Sequence, residues 1–581
     1  MRLAFAAALA AGLFLTPAAL TAQTRDYGPE SSMQAQASRP APNRTERPVA
    51  DEPGRTTPAD RPDAVEGARM DSACDGHDAA TGADAGKGDA RAERANCRKL
   101  TDAEIATAPI VEVRRVSRHT AVIGGRTIAY TATAGTLTLR DDDGKPTASM
   151  FYVAYTTGEA RRPVTFLYNG GPGSSTLWLH MGSLGPVHVE TDSPEATHNA
   201  PFTVANNPDS LLDKSDLVFL DAVGAGFSRP VGDTKLKAFW GTDEDIDAFA
   251  RGIERWLTVN ERWNAPKFIF GESYGTTRSA GLSYRLQEDG VQLNGVILLS
   301  SILNYGVRQP GFDQQMVNYL PSYAAAAVYH HRLANPPADI DAFLREVREF
   351  ARGPYALALA RAQDLSDAER RDVAQKMAGY IGLPVDYILA SDLRVSPGRF
   401  RKELLRDQRL TLGRYDDRFT GSDFDAAGES PEFDPSDTGI TGAFVAAFHD
   451  YLARDLGYQT ELTYRPTYYS SGIQWDFDHK AAGLGGGNGS NQADVALDLS
   501  EAMRENPHLL LYSLNGLYDL ATPFFGTEYD LGHMQLDPAL KGNVRFAYYP
   551  SGHMVYLNPV ALRAMKADLA RFYDEAAPER R

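Results

Sequence analysis

Gly271-Glu272-Ser273-Tyr274-Gly275 is the stretch on which the reading of this chain turns. It follows the apolar run Lys267-Phe268-Ile269-Phe270 and precedes a segment of helical character. Between a strand and a helix, G-x-S-x-G is a sharp turn that holds the serine hydroxyl out at the carboxyl end of the strand. Its glycines permit the tight backbone path and keep side chains clear of the serine. Without that context the pattern marks only a turn. With it, Ser273 is a candidate nucleophile and the Tyr274 N–H a candidate oxyanion donor.

Two further pieces lie near the C-terminus. His508 to Leu514 is a short apolar run, read as a buried strand, and Asp519 falls in the loop beyond it. Val544 to Tyr549 is a second such run, followed by Pro550-Ser551-Gly552 and then His553. Taken singly, Asp519 reads as a turn or cap residue and His553 as a loop histidine. Together they complete the order Ser273, Asp519, His553, which is the chain order of α/β-hydrolases. Gly532-His533-Met534 repeats the tripeptide Gly552-His553-Met554. His533 follows a predicted helix rather than the last strand, so His553 is the expected base and His533 a structural residue.

A third strand, Val164 to Tyr168, runs into Asn169-Gly170-Gly171-Pro172-Gly173-Ser174-Ser175. Glycines just past a strand expose N–H groups that can receive developing negative charge. Gly171 is the candidate second oxyanion donor. No Gly-Lys-Ser/Thr follows, and G-x-G-x-x-G is absent here, so nucleotide-phosphate loops are excluded.

These three motifs resemble the signatures of the serine carboxypeptidase family, and Phe219 to Ser228 is similar to another of its blocks. The resemblance runs over roughly residues 106 to 575 and is weakest in the middle. It implies an α/β-hydrolase fold: a mostly parallel central sheet flanked by helices, with a large inserted cap. It also implies removal of C-terminal residues from peptides. Family recognition of a free C-terminal carboxylate carries over to Asn169, the Gly170 N–H and Glu272, while Met554 is expected to help shape the leaving-residue pocket. The family has a second glutamate two residues before a Gly-Pro pair; here Gly185-Pro186 is present but Ser183 stands at that position. Without a carboxyl partner to share a proton, Glu272 is expected to ionise more easily. An esterase or acyltransferase on the same scaffold is the nearest alternative, and a non-catalytic binding module a more distant one.

The chain has 581 residues and a formal net charge of −17, which argues against nucleic acid as a partner. Arg2, the apolar run Leu3 to Leu15 and small residues up to Ala22 have the layout of a secretory signal, too short for a transmembrane helix. A secreted or periplasmic enzyme is expected. Residues 23 to 105 are rich in Ala, Asp, Arg, Pro and Gly and read as a disordered leader. Both cysteines, Cys74 and Cys97, lie in it and cannot staple a catalytic core. Their spacing suits no metal site, and no metal or cofactor is required by the chemistry read here. Beyond the leader, alternating apolar positions predict hairpins over 110–156, then strands, among them Asp216 to Asp221 and Leu293 to Leu299, alternating with helices, one of them capped by Thr242; Asn558-Pro559 opens a last helix with Leu562, Met565, Leu569 and Phe572 facing the sheet. The expected core halves are 106–302 and 495–575, separated by a cap insertion at 303–494. The insertion reads as helix-rich early, with a capping box at Ser366 and Glu369, and loop-rich over 415–492.

Overall fold

The computed structural model describes residues 107–468, 474–482 and 492–578. The expected signal segment at 1–22, the whole leader at 23–105 with Cys74 and Cys97, and the glycine-rich stretch at 485–489 lie outside the described residues.

Strands β1 (Arg114–Ile123), β2 (Arg126–Arg140) and β3 (Pro146–Thr156) form the predicted antiparallel hairpins. They feed a sheet completed by β4 (Val164–Tyr168), β5 (Asp216–Leu220), β6 (Lys267–Glu272), β7 (Gly295–Leu299), β8 (Leu510–Gly516) and β9 (Val544–Tyr549). The spatial order is β1-β2-β3-β5-β4-β6-β7-β8-β9, with a two-residue strand, Arg229–Pro230, beside β3. From β5 to β9 every pairing is parallel. This mostly parallel sheet flanked by helices is the α/β-hydrolase fold.

The central strands read as unbroken apolar runs because both of their faces are covered. In β6, Phe268 and Phe270 enter one core cluster and Ile269 the other; in β7, Ile297 and Leu299 oppose Val296 and Leu298. Helices Leu177–Gly182, Pro435–Arg454 and Pro559–Ala576 contribute to the first cluster, and Thr242–Val259, Tyr274–Glu288 and Ala496–Glu505 to the second. The last-named helix of the first set opens as predicted: Asn558 accepts the Val560 N–H at 3.0 Å, Pro559 occupies the first helical position, and Leu562, Met565, Leu569 and Phe572 are buried. Among the described residues no helix is long and apolar enough to cross a membrane.

Two expectations need correction. Thr242 is not a cap but the first residue of its helix, after Gly241. Its N–H donates to the Asp476 carbonyl at 2.9 Å, so a distant segment satisfies that helix start. The region 415–492 is not simply loop-rich, since it holds the 20-residue helix Pro435–Arg454. Its start is conventional, with Asp434 as cap and Pro435 in the first turn. Its glycines, threonines and alanines dilute the apolar stripe made by Ile440, Phe444, Ala447, Phe448 and Tyr451.

The insertion between β7 and β8 builds a core of its own from helices such as Gln314–Tyr329, Ile340–Phe350 and Asp367–Ile381. The last of these carries the predicted capping box. This third cluster also takes in Leu517, Tyr518, Leu520 and Phe524. The loop after β8 is therefore gripped by the insertion as well as by the sheet.

Candidate active site

Ser273 sits at the β6-to-helix turn with φ 61° and ψ −131°, a conformation that a residue with a Cβ adopts only when its surroundings impose it. The surroundings are visible: a Cβ on Gly271 would lie 2.0 Å from the Gly275 carbonyl oxygen. Only glycine lets the helix fold back this closely over the strand. Ser273 remains partly exposed while Glu272 and Tyr274 on either side are buried.

The neighbouring strand ends bring up the other two residues. Asp519 and His553 are both buried, and the His553 Nδ1–H donates to Asp519 Oδ2 at 2.8 Å. Asp519 Oδ1 accepts the N–H groups of Ala521 and Thr522 at 2.7 and 2.9 Å. One oxygen thus holds the turn and the other holds the His553 imidazole. The Thr522 hydroxyl lies 2.8 Å from Asp519 Oδ2, 3.0 Å from His553 Nδ1 and 2.9 Å from the Ser300 carbonyl. With one proton it can donate to only one acceptor at a time. Ser300, also at positive φ, donates to the His553 carbonyl at 2.7 Å.

The insertion clasps the same loops. The Tyr415 carbonyl accepts the His553 N–H at 2.6 Å and its ring lies 5.2 Å from the imidazole. The Arg414 carbonyl accepts the Leu520 N–H, and the Tyr518 carbonyl accepts the Asp417 N–H, both at 3.0 Å. Neither Thr522 nor Tyr415 carries a sequence signal, because their roles arise from segments far apart in the chain. Burial disfavours the charged imidazolium of His553, yet the Asp519 charge and hydrogen bond, helped by Glu272, outweigh burial and the opposing Arg414, raising the histidine's pKa. His533, by contrast, is exposed, its Nδ1 2.7 Å from the Tyr529 carbonyl of its own helix.

On the other side of Ser273 lies the glycine-rich loop. A Cβ on Gly170 would come within 2.4 Å of the Tyr274 backbone nitrogen, so the loop rests directly on the start of the elbow helix. Gly171 follows with φ 106°. Asn169 is buried; its Oδ1 accepts the Leu179 N–H at 2.9 Å, which leaves the Nδ2 donors for another partner. Its carbonyl accepts from Arg278 at 2.8 Å. Arg278 is fully buried, paired with Asp245 at 2.7 Å and stacked 4.0 Å over the Phe249 ring. Ser183 is buried and gives its hydroxyl proton to the Leu179 carbonyl. Met554 is buried within the first core cluster.

Burial raises the Glu272 carboxyl to about 7 even with Ser183 as the residue at 183. His553, Tyr556 and Asn169 pull the value down and Asp519 pushes it up. Desolvation is the largest cause of that shift.

Residues 127–315 match the model of the serine carboxypeptidase family. That span takes in the glycine-rich loop and the elbow and ends before Asp519 and His553. Serine carboxypeptidase S10 family member 1 of Dictyostelium discoideum is 26% identical over 168 residues, which are 28% of this chain and 38% of that protein. Serine carboxypeptidase-like 34 of Arabidopsis thaliana is 23% identical over 241 residues, 40% of this chain and 46% of that one. The chain thus spans under half the length of the curated relatives it matches. Among solved structures, a prohormone-processing carboxypeptidase from Saccharomyces cerevisiae is similar with a TM-score of 0.47 and 15% identity, covering 77% of this chain and 91% of that one.

Proposed function

We propose that the chain is a serine carboxypeptidase that removes C-terminal residues from peptides through an acyl-enzyme. Ser273 Oγ attacks the last peptide carbonyl, and His553 takes its proton at Nε2, the ring nitrogen not held by Asp519. The Asp519 carboxylate orients the ring and stabilises it while charged. The N–H groups of Tyr274 and Gly171 receive the oxyanion. Collapse breaks the C–N bond, His553 hands the proton to the leaving amine, and water then hydrolyses the ester by the same route. Every step uses these side chains and water.

The observation that carries the exopeptidase reading is Glu272, a buried carboxyl next to the nucleophile with a pKa near 7. Protonated, it can donate to a substrate carboxylate beside the Asn169 amide and the Gly170 N–H. Ser183, whose hydroxyl is spent on Leu179, favours the second reading, an esterase or acyltransferase with no need to recognise a carboxylate. We read residues 303–494 as a cap between core halves 106–302 and 495–575, and residues 1–22 as an export signal to the periplasm or outside the cell.

Incubating the purified protein with a matched pair of peptides, one a free acid and one amidated, tests the proposal. Preferential loss of the last residue from the free acid is expected. Equal cleavage of both would leave the esterase or acyltransferase reading in its place.

A further inference from the structure

Two buried oxygens beside the nucleophile have no hydrogen-bond partner among the described residues: Glu272 Oε2 and the Tyr556 hydroxyl. A buried polar atom left unpaired costs about 1–3 kcal/mol, so a pair of them at one spot needs a reason. They belong to one cluster. Tyr556 and Asn169 both act on Glu272, and Glu272 and Asn169 both act on the Tyr556 hydroxyl, at hydrogen-bonding range but without a well-formed bond. Tyr556 comes from the short turn Val555–Leu557 that follows His553, and it is 3% exposed. Its ring is wedged against the helix before Ser183, where a Cβ on Gly182 would approach it to 2.6 Å.

We propose that Tyr556 is a substrate-binding residue whose hydroxyl donates a hydrogen bond to the terminal carboxylate of the peptide, alongside Glu272 and the Asn169 amide. The inference rests on the carboxypeptidase reading and deepens it. Three donors meet in this cluster: Asn169 Nδ2, turned toward it because Oδ1 accepts the Leu179 N–H; the Glu272 carboxyl while protonated; and the Tyr556 hydroxyl. Ser183 contributes none, since its proton goes to a carbonyl. Burial pushes the phenol far above its ordinary value, so it stays a neutral donor at every working pH. An arriving carboxylate would fill the two vacant hydrogen-bonding positions at once. The same loop then delivers the base, through His553, and an anchor for the substrate, three residues apart.

The test is Tyr556→Phe, assayed with a free-acid peptide and its amide together with the melting temperature. Phenylalanine keeps the ring and removes only an unpaired oxygen. The melting temperature should therefore hold or rise. KM for the free acid should increase about tenfold or more, in keeping with the loss of a hydrogen bond to a charged group. kcat and the slow cleavage of the amide should change little. Glu272, faced by His553, Asp519, Asn169 and Tyr556, loses a group that lowers its pKa, so the pH at which free-acid KM rises should move up. A parent enzyme that prefers the free acid and a variant that keeps the same KM would overturn Tyr556 and spare the carboxypeptidase reading. A marked drop in melting temperature would make the hydroxyl structural and overturn it too. If the parent shows no preference for the free acid, the reading fails and the inference fails with it.

Discussion

Two buried carboxyl groups flank Ser273, and they are treated in opposite ways. Asp519 has each oxygen committed: one to two backbone N–H groups, the other to His553 and within reach of Thr522. Glu272 is as deeply buried but keeps Oε2 unpaired, next to an unpaired tyrosine hydroxyl. On the proposed reading, the Asp519 end is complete without substrate and the Glu272 end only with one. Preorganised dipoles serve the chemical step, which cannot wait for groups to rearrange. Unpaired donors serve recognition, because a ligand that satisfies them removes an existing penalty.

The sharpest way to break this comparison is at the finished end. Ser273→Ala or His553→Ala should lower kcat by about 10⁶-fold, since triad members act as a unit. Asp519→Asn should cost about 10⁴-fold in kcat, because the amide favours the wrong imidazole tautomer. Single-turnover rates read both. Losses of less than tenfold would mean that another nucleophile works here.

Next comes the support under the recognition end. Arg278 joins Asp245 to the Asn169 carbonyl in a fully buried site. Arg278→Ala leaves Asp245 buried without its cation, and should destabilise the protein by about 3–5 kcal/mol in denaturant melts. A shift of under 1 kcal/mol would show that the pair is dispensable.

Glu272→Gln sharpens the contrast through pH. Glu272 holds its proton below about 7 and loses it above, so KM for free acids should be low below that point and climb through it. The ionised Glu272 also helps raise His553, which must be neutral to act as base, so turnover falls as pH drops through the histidine's raised pKa. In the glutamine variant the KM profile should flatten and the acid limb of kcat should move to lower pH. Unchanged profiles in both would remove Glu272 from the site. The smallest effect belongs to His533→Ala: activity should stay within about twofold, the range of an ordinary surface substitution. A dead His533 variant would undo the assignment of the base.

The parts of this molecule legible from sequence are those whose cause is local. Gly271-Glu272-Ser273-Tyr274-Gly275 is such a case, because the steric demand of folding a helix back over its strand falls on residues within the motif. The central strands are another: burial on both faces writes continuous apolar runs, and these set β4 to β9 within about two residues. Post-strand loops then locate Asp519 and His553. Asn558-Pro559 and the Ser366 capping box are local in the same sense. Tertiary structure decided the rest, because the cause lies elsewhere in the chain. The start of Thr242–Val259 is satisfied by Asp476, and helix Pro435–Arg454 hides behind a diluted stripe. Thr522, Tyr415 and Arg278 act through contacts spanning 31 to 222 residues. The proton affinity of Glu272 also belongs to this second group. The sequence shows a glutamate beside a serine and a serine at 183; the folded chain removes water from that carboxyl, and desolvation raises its proton affinity in a way no local pattern reports.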